Sequence, residues 1–197
     1  MSSVASPESP VASAQRLRRR ERRDQILAAA TRAFARSGFA ATGLDAIAAE
    51  AGVSRVILYR HFESKTELYR AVLRRASARL AAAVDRDHFT PATIDALLAA
   101  AAEDPDGFRL LFHHAAREPE FRAEVDRLRA ESVAVARRYL AREIAHPAWT
   151  EWAAHLAPTV AVDGVIAWLD AGQPDPDAAA DRIRHVLGAI VAAARAG

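Results

Sequence analysis

Between Ser54 and His61 the sequence SRVILYRH sets two guanidiniums, a phenol and an imidazole within eight residues. These groups suit nucleic acid. Arg55 or Arg60 can bond guanine O6 and N7 together, the commonest specific contact in a major groove, while Tyr59 and His61 carry hydrogen-bond donors on short levers. Val56 and Ile57 can touch thymine methyls, or hold the segment slightly further from the bases. The chemistry needs a helix presented at a fixed angle, and the preceding residues predict one. Leu44, Ile47, Ala48 and Ala51 recur at i, i+3, i+4, i+7, the apolar face of a short helix. Ala48 is small enough to let a second helix cross closely. Gly52 can end the first helix in the left-handed conformation without a Cβ clash. Val53 fills the corner, Ser54 is a good N-cap, and Leu58 turns back onto the first helix. Two short helices about a glycine turn form the helix-turn-helix pattern, whose second helix enters a DNA major groove.

A purely structural corner can carry the same pattern, so the flanking residues matter. Gly38, Phe39 and Thr42 stand before the first helix, and His61, Phe62, Ser64, Lys65 and Leu68 follow the second. With Ile26, Ala29, Phe34, Ile47, Ala48, Gly52, Val53, Ser54, Leu58 and Tyr59 they make the run from Ile26 to Leu73 resemble the N-terminal DNA-binding domain of the TetR family of bacterial transcriptional repressors. The resemblance covers about a quarter of the chain; the rest is similar to the family only in its all-helical layout. It implies that Ser54, Arg55, Val56, Ile57 and Arg60 face the groove and that Tyr59 and His61 face phosphates. Val56 and Ile57 depart from the glycine and the small or hydroxyl residues common at those places. Gly43 stands where a hydroxyl residue is common.

Two further phosphate contacts are expected. Thr42 and Gly43 offer a hydroxyl and free N–H groups at a helix start. Lys65, the single lysine of the chain, lies near the start of a fourth helix, where a cation is unfavourable unless an anion joins it. Ser64 and Glu67 have capping-box spacing there.

Composition narrows the alternatives. The chain has 197 residues, 51% of them apolar, and no cysteine, which excludes disulfides and thiolate chemistry. No continuous apolar run nears 18 residues, so no membrane span is expected. The N-terminus lacks a signal-peptide pattern, and a cytoplasmic bacterial protein fits. Strand-like alternation is absent, so the class is all-α. Residues 1–84 hold 15 basic and 7 acidic residues, a net of +8, and residues 85–197 hold 12 and 18, a net of −6. The basic half is the half with the motif.

In chain order, residues 1–14 lack periodicity and predict disorder within an Arg-rich arm over residues 1–20. Arg16, Arg18, Arg19, Arg20, Arg22 and Arg23 lie on that arm or on the first turns of the next helix. Either placement can reach phosphates or a minor groove; a solubilising tail is the alternative. The helix-turn-helix domain spans residues 21–85, with a linking helix over about 64–87. A helical effector-binding and dimerisation domain follows over residues 88–197, with helix starts at Pro91 and Pro105, an interruption at Pro119, and Pro158 as a kink or a true start. Val162, Val165, Ile166 and Leu169, with Ile183, Leu187 and Ile190, are too apolar for one neighbour each. A two-fold dimer through these last two helices is expected, as the family implies.

The candidate ligand residues are Phe112, His114, Arg117, Tyr139 and Asp163. His113 and His114 lack the i, i+4 spacing for a metal, so neither metal nor cofactor is expected. Gly38 and Gly43 have phosphate-loop spacing without the following Lys-Ser/Thr, which rejects nucleotide binding. The sequence thus predicts a homodimer that binds an operator duplex, released by a small apolar or amphipathic effector, with no catalytic role. The other readings are a helical binding or interaction module without DNA affinity, and a helical enzyme using His113, His114 or Asp163.

Overall fold

The computed structural model describes residues 10–85 and 88–196, and among these every regular element is helical. The chain divides at Val72 and Leu73 into two compact units. That division falls inside a helix rather than near residue 85.

The first unit holds α1 (Pro10–Ala41), α2 (Leu44–Glu50), α3 (Arg55–His61) and the start of α4 (Lys65–Ala83). The arginines therefore lie on the first turns of a helix: residues 10–20 are helical, while residues 1–9 lie outside the described residues. Pro10 suits a first helical position, where its missing N–H would have no partner. α1 breaks at Gly38, with φ 73° and ψ 171°, a region open essentially to glycine alone. Ile26, Ala29, Ala30 and Phe34 of α1, Ile47 and Ala48 of α2, Leu58 of α3, and Leu68, Tyr69 and Val72 of α4 are buried together. The Tyr69 ring meets Phe34 edge-on, centroids 4.8 Å apart, and Phe39 at 5.1 Å. α4 opens on a reciprocal cap. Ser64 Oγ accepts from Glu67 N at 3.1 Å, and Glu67 Oε2 accepts from Glu63 N at 2.6 Å.

The second unit continues with α5 (Ala92–Glu103), α6 (Pro105–Arg109), α7 (Arg122–Leu140), α8 (Pro147–Asp170) and α9 (Pro176–Arg195). A wide π-helical turn, Leu110–His114, and two 3₁₀ turns lead from α6 to α7. α7 and α9 pack on α8, and α5 packs on α8 and α9. Pro158 neither starts nor ends α8, which runs through it unbroken.

Two expectations change here. Val165, Leu169, Ile183, Leu187 and Ile190, expected between protomers, are buried within the chain, while Val162 and Ile166 are half-buried. The apolar seam of α9 is satisfied by α8 and α5 of the same unit. α8 carries apolar residues all round, and its richest face turns inward. Also, α8 has the length and mean hydropathy, 1.2 over its richest 18 residues, of a membrane-crossing helix. Asp163 and Pro158 interrupt a continuous run but hardly change an average. The packing of Ala153, Ala154, Ala161, Val165 and Leu169 into the helical core accounts for its inner face. Only 28% of that window is buried, and the exposed residues of α8 include His155, Thr159, Asp163 and Ala167.

Gly38→Ala is expected to destabilise the protein by about 1–3 kcal/mol, since alanine must adopt the glycine conformation although nothing crowds its Cβ. Urea unfolding checks this; an unchanged midpoint would mean that the break is not fixed by Gly38.

Candidate nucleic-acid interface

The turn between α2 and α3 is set by main-chain bonds. Gly52 has φ 61°, and Val53 N donates to Ala48 O at 3.0 Å, closing α2 over the left-handed residue. Ser54 Oγ then accepts from Ile57 N at 3.3 Å and starts α3. On α3, Leu58 is wholly buried, and Phe62 just beyond it is 1% exposed. With those two anchored, the opposite face is free: Ser54, Arg55, Val56, Tyr59 and Arg60 are exposed, Val56 by 62%. Ile57 and His61 are half-buried at its margin.

Arg55 is oriented before any ligand arrives. Its Nη1 donates to Asp45 Oδ2 at 3.0 Å, its Nη2 donates to Tyr59 Oη at 3.4 Å, and its guanidinium lies 5.6 Å from the Tyr59 ring centroid. Asp45, which the sequence reading missed, is thus part of the surface. Its signal is an acid in the first turn of α2, ten residues before an arginine in the first turn of α3.

Two expected phosphate contacts have partners inside the chain. The Thr42 hydroxyl is buried and donates to Gly38 O at 2.6 Å or Ala33 O at 3.2 Å. Lys65 Nζ donates to Phe39 O at 2.8 Å and Ala40 O at 3.2 Å, and sits 4.5 Å from the Phe39 ring centroid. The negative carbonyl end of α1 is the anion that stabilises Lys65 near the start of α4. Gly43 is exposed and extended at the start of α2, with no side-chain cap.

The same device recurs. Gln25 Nε2 donates to Ala51 O at 2.7 Å at the end of α2, and Arg23 Nη1 to His61 O at 3.1 Å at the end of α3. Each of the first three helices has its carbonyl end capped by a donor from another element. Arg32 and Arg36 bind Glu50 and tie α1 to α2. The Arg36 hydrogen bond, with Arg32 and the two charges adding to it, holds the Glu50 carboxyl below its usual range against a partial burial cost. This contribution is present above the unfolded carboxylate's pKa and is lost as pH falls through the lowered one. The His61 imidazole is likewise held below its ordinary value, first by burial and then by Arg19, Arg23 and Arg22.

The second unit encloses an apolar cavity of about 370 Å³. Leu80 of α4 and Val84 just after it, Phe89, Leu97 of α5, Phe112 of the π turn, Leu128 and Val135 of α7, Ala161 and Val162 of α8, and Leu187 and Val191 of α9 line it. Ser77, Glu131, Ser132, Tyr139 and Arg184 are among its polar wall groups. Of the expected ligand residues, Phe112 and Tyr139 reach this cavity and His114, Arg117 and Asp163 do not. His113 bonds Arg117 across 2.8 Å, and Asp163 is exposed on α8. Burial, followed by His113 and Arg117, holds the half-buried His114 below the ordinary imidazole value. The missed lining residues come from six segments that no single helical period connects. Among the described residues no cluster of three or more His, Asp or Glu is placed to hold a metal ion.

A short exposed helix, held by a glycine turn on a three-helix cradle and followed by a larger helical unit, is the arrangement of a helix-turn-helix protein. Residues 26–72 match the family described as bacterial regulatory proteins, tetR family. The chain is 40% identical over 119 residues to the HTH-type transcriptional activator FasR of Mycolicibacterium smegmatis, covering 56% of this chain and 54% of that one. It is 38% identical over 89 residues to the HTH-type transcriptional repressor SCO4008 of Streptomyces coelicolor, covering 45% and 46%. The chain thus spans about half the length of these relatives. A TetR-like transcriptional regulator from Rhodococcus sp. RHA1 superposes with a TM-score of 0.72 at 25% identity, over 89% of this chain and 96% of that one. Residues 26–72 thus match the family's N-terminal domain, and the described residues share the fold of TetR-like regulators.

Thr42→Val and Lys65→Met should each lower stability by about 1 kcal/mol, because each leaves carbonyls at the end of α1 without a donor. Urea unfolding measures it. Full stability in either variant would return that residue to the list of phosphate contacts.

Proposed function

We propose that this protein is a dimeric, sequence-specific DNA-binding transcriptional regulator whose second unit receives a small apolar or amphipathic effector. The observation that carries the reading is the exposed face Arg55, Val56, Tyr59 and Arg60 on a helix whose opposite face is fully anchored. The two arginines supply guanine contacts and Val56 a methyl contact; Tyr59 and the half-buried His61 supply phosphate contacts. Two such helices in a two-fold dimer would enter major grooves about 34–36 Å apart.

The dimer reading now rests on different residues. α8 exposes His155, Thr159, Asp163 and Ala167, and α9 exposes Val186, Ala189, Ala192 and Ala193. These residues lie on the outer faces of the two helices, and most are small. Pairing them across a two-fold axis would cover the outer face of α8 and Val186, which is 48% exposed.

The cavity supports effector control. Its volume lies in the range of small-molecule pockets and its wall is mostly apolar with a few polar groups. Ser77, Leu80 and Ala81 of α4 line it, and α4 begins in the first unit. A ligand that favours one setting of α4 would shift DNA affinity only by its differential affinity for the two settings. We read the direction as repression relieved by the effector. FasR is named an activator and SCO4008 a repressor, so a reporter decides: deletion of the gene should raise transcription from its operator, and a fall would reverse the sign.

A second reading, an interaction module without DNA affinity, draws on Val56 alone. Ile57 is half-buried and does not stand off the helix as a wedge. Selection of duplexes from a random pool, followed by anisotropy across a salt series, separates the two. Tyr59→Ala should weaken selected and random duplexes alike, and Arg60→Ala should also relax preference at one position by about 1–3 kcal/mol. Failure of the wild type to enrich any sequence would favour the module. Ala189→Glu with Val186→Glu, both on exposed positions, should convert dimer to monomer in sedimentation and weaken operator binding. An unchanged dimer would move the interface elsewhere.

A further inference from the structure

Arg16, Arg19, Arg20 and Arg23 follow one another at i, i+3, i+4 and i+7, so they share one face of α1. They do so before the helix has any core to join. Residues 14–22 are exposed, and burial begins at Ile26. Like charges at these spacings oppose one another, by about 0.2–0.5 kcal/mol per pair, which makes the face unfavourable in isolation. The four guanidiniums do not point at random. Together with His61, the last residue of α3, they line one concavity of the first unit. Arg23 fixes the junction: its Nη1 holds His61 O at 3.1 Å and its guanidinium stacks 4.2 Å from the centroid of the buried Phe62 ring. The basic face of α1 is therefore registered on the end of α3 through Arg23.

We propose that Arg16, Arg19, Arg20, Arg23 and His61 form a clamp for the phosphates of the DNA strand that flanks the half-site beyond α3. The clamp rests on the DNA-binding reading and extends it by naming a second contact surface and its ligand, the sugar-phosphate backbone outside the bases read by Arg55 and Arg60. The charges match: the duplex carries one negative charge per about 1.7 Å of axis, and a phosphate relieves the repulsion among the arginines. Such contacts position the protein and add affinity without reading sequence.

The clamp also links binding to protons. In the free protein Arg19, Arg22 and Arg23 of α1 act on His61, and Arg16 and Arg20 share its concavity. Burial, and then Arg19, Arg23 and Arg22, disfavour the charged imidazolium. A phosphate seated among them favours the imidazolium, so the complex takes up a proton and affinity rises as pH falls from the free protein's neutral range.

The test uses the full-length protein and a selected duplex carrying about ten flanking base pairs on each side, in a salt series. The variant R16Q/R19Q/R20Q changes only exposed side chains. It is expected to reduce the slope of log affinity against log salt by about 2–3 per protomer, at roughly 0.9 per lost phosphate, and to weaken selected and random duplexes equally. Trimming the flanks of the duplex should bring the wild type to the slope of the variant and leave the variant unchanged. His61→Gln should abolish the rise in affinity between pH 8 and pH 6 that the wild type shows. A triple variant with wild-type slope and affinity overturns the clamp while DNA binding by α3 stands. A wild type that binds no duplex at low salt overturns both. A loss confined to the selected sequence assigns the arginines to base readout and overturns the clamp as well.

Discussion

A seven-residue helix makes too few internal hydrogen bonds to hold itself in water, so α3 depends on being anchored. The burial of Leu58 and Phe62, with α3 packed on α2 and Arg23 of α1 stacked on the Phe62 ring, is the constraint from which the rest of the first unit follows. It fixes which face is left outside. It also explains the tight packing beneath, where Phe34, Phe39 and Tyr69 interlock edge to face and Ala29, Ala30 and Ala48 allow close approach. A recognition surface must meet DNA at one angle, and a short helix gains that precision only from its supports.

The polar groups of the unit serve the same end. Helices this short are largely helix ends, and each end leaves carbonyls without partners. Thr42 and Lys65 supply donors at the end of α1, Gln25 at the end of α2 and Arg23 at the end of α3. Lys65 reaches from α4 to α1, Gln25 from α1 to α2 and Arg23 from α1 to α3, so each of these three caps is also a tie between elements. Arg32 and Arg36 on Glu50 add a charged tie between α1 and α2. Residues that resemble ligand contacts by type thus hold the frame, and the surface is left to Arg55, Val56, Tyr59 and Arg60. Asp45 and Tyr59 keep Arg55 oriented at a fully exposed position, where ion pairs by themselves add little stability.

The second unit follows another logic. Its helices are long and their apolar faces broad, so they satisfy one another with surface to spare. The surplus goes two ways. Inward, Leu80, Phe89, Leu128, Val135 and Val191 border a cavity instead of closing over it. Outward, α8 exposes Thr159 and Ala167 beside His155 and Asp163, and α9 exposes Val186, Ala189, Ala192 and Ala193. Among polar ties, Arg109 with Asp170 and Arg184 with Asp95 join these helices across the surface. The π turn at Leu110–His114 widens the backbone where Phe112 turns to the cavity.

The sequence alone determined the all-α class, the helix-turn-helix, the cap at Ser54, the reciprocal cap of Ser64 and Glu67, and the glycine positions. Each of these is local: a period, a capping oxygen or a left-handed residue acts within four or five positions of itself. Only the tertiary structure decided which side of an apolar helix meets which neighbour. Val165, Leu169, Ile183, Leu187 and Ile190 have the spacing of an interface, and the chain's own helices cover them. Thr42 and Lys65 have the chemistry of phosphate ligands, and carbonyls nearby in space, some of them more than twenty residues away in sequence, claim them first. Phe112 and Tyr139 share a cavity, but His114, Arg117 and Asp163 stand outside it, since a cavity is bounded by several helices and no one of them records the others' positions. A periodic pattern specifies a face; the partner of that face is a long-range contact, and only packing selects it.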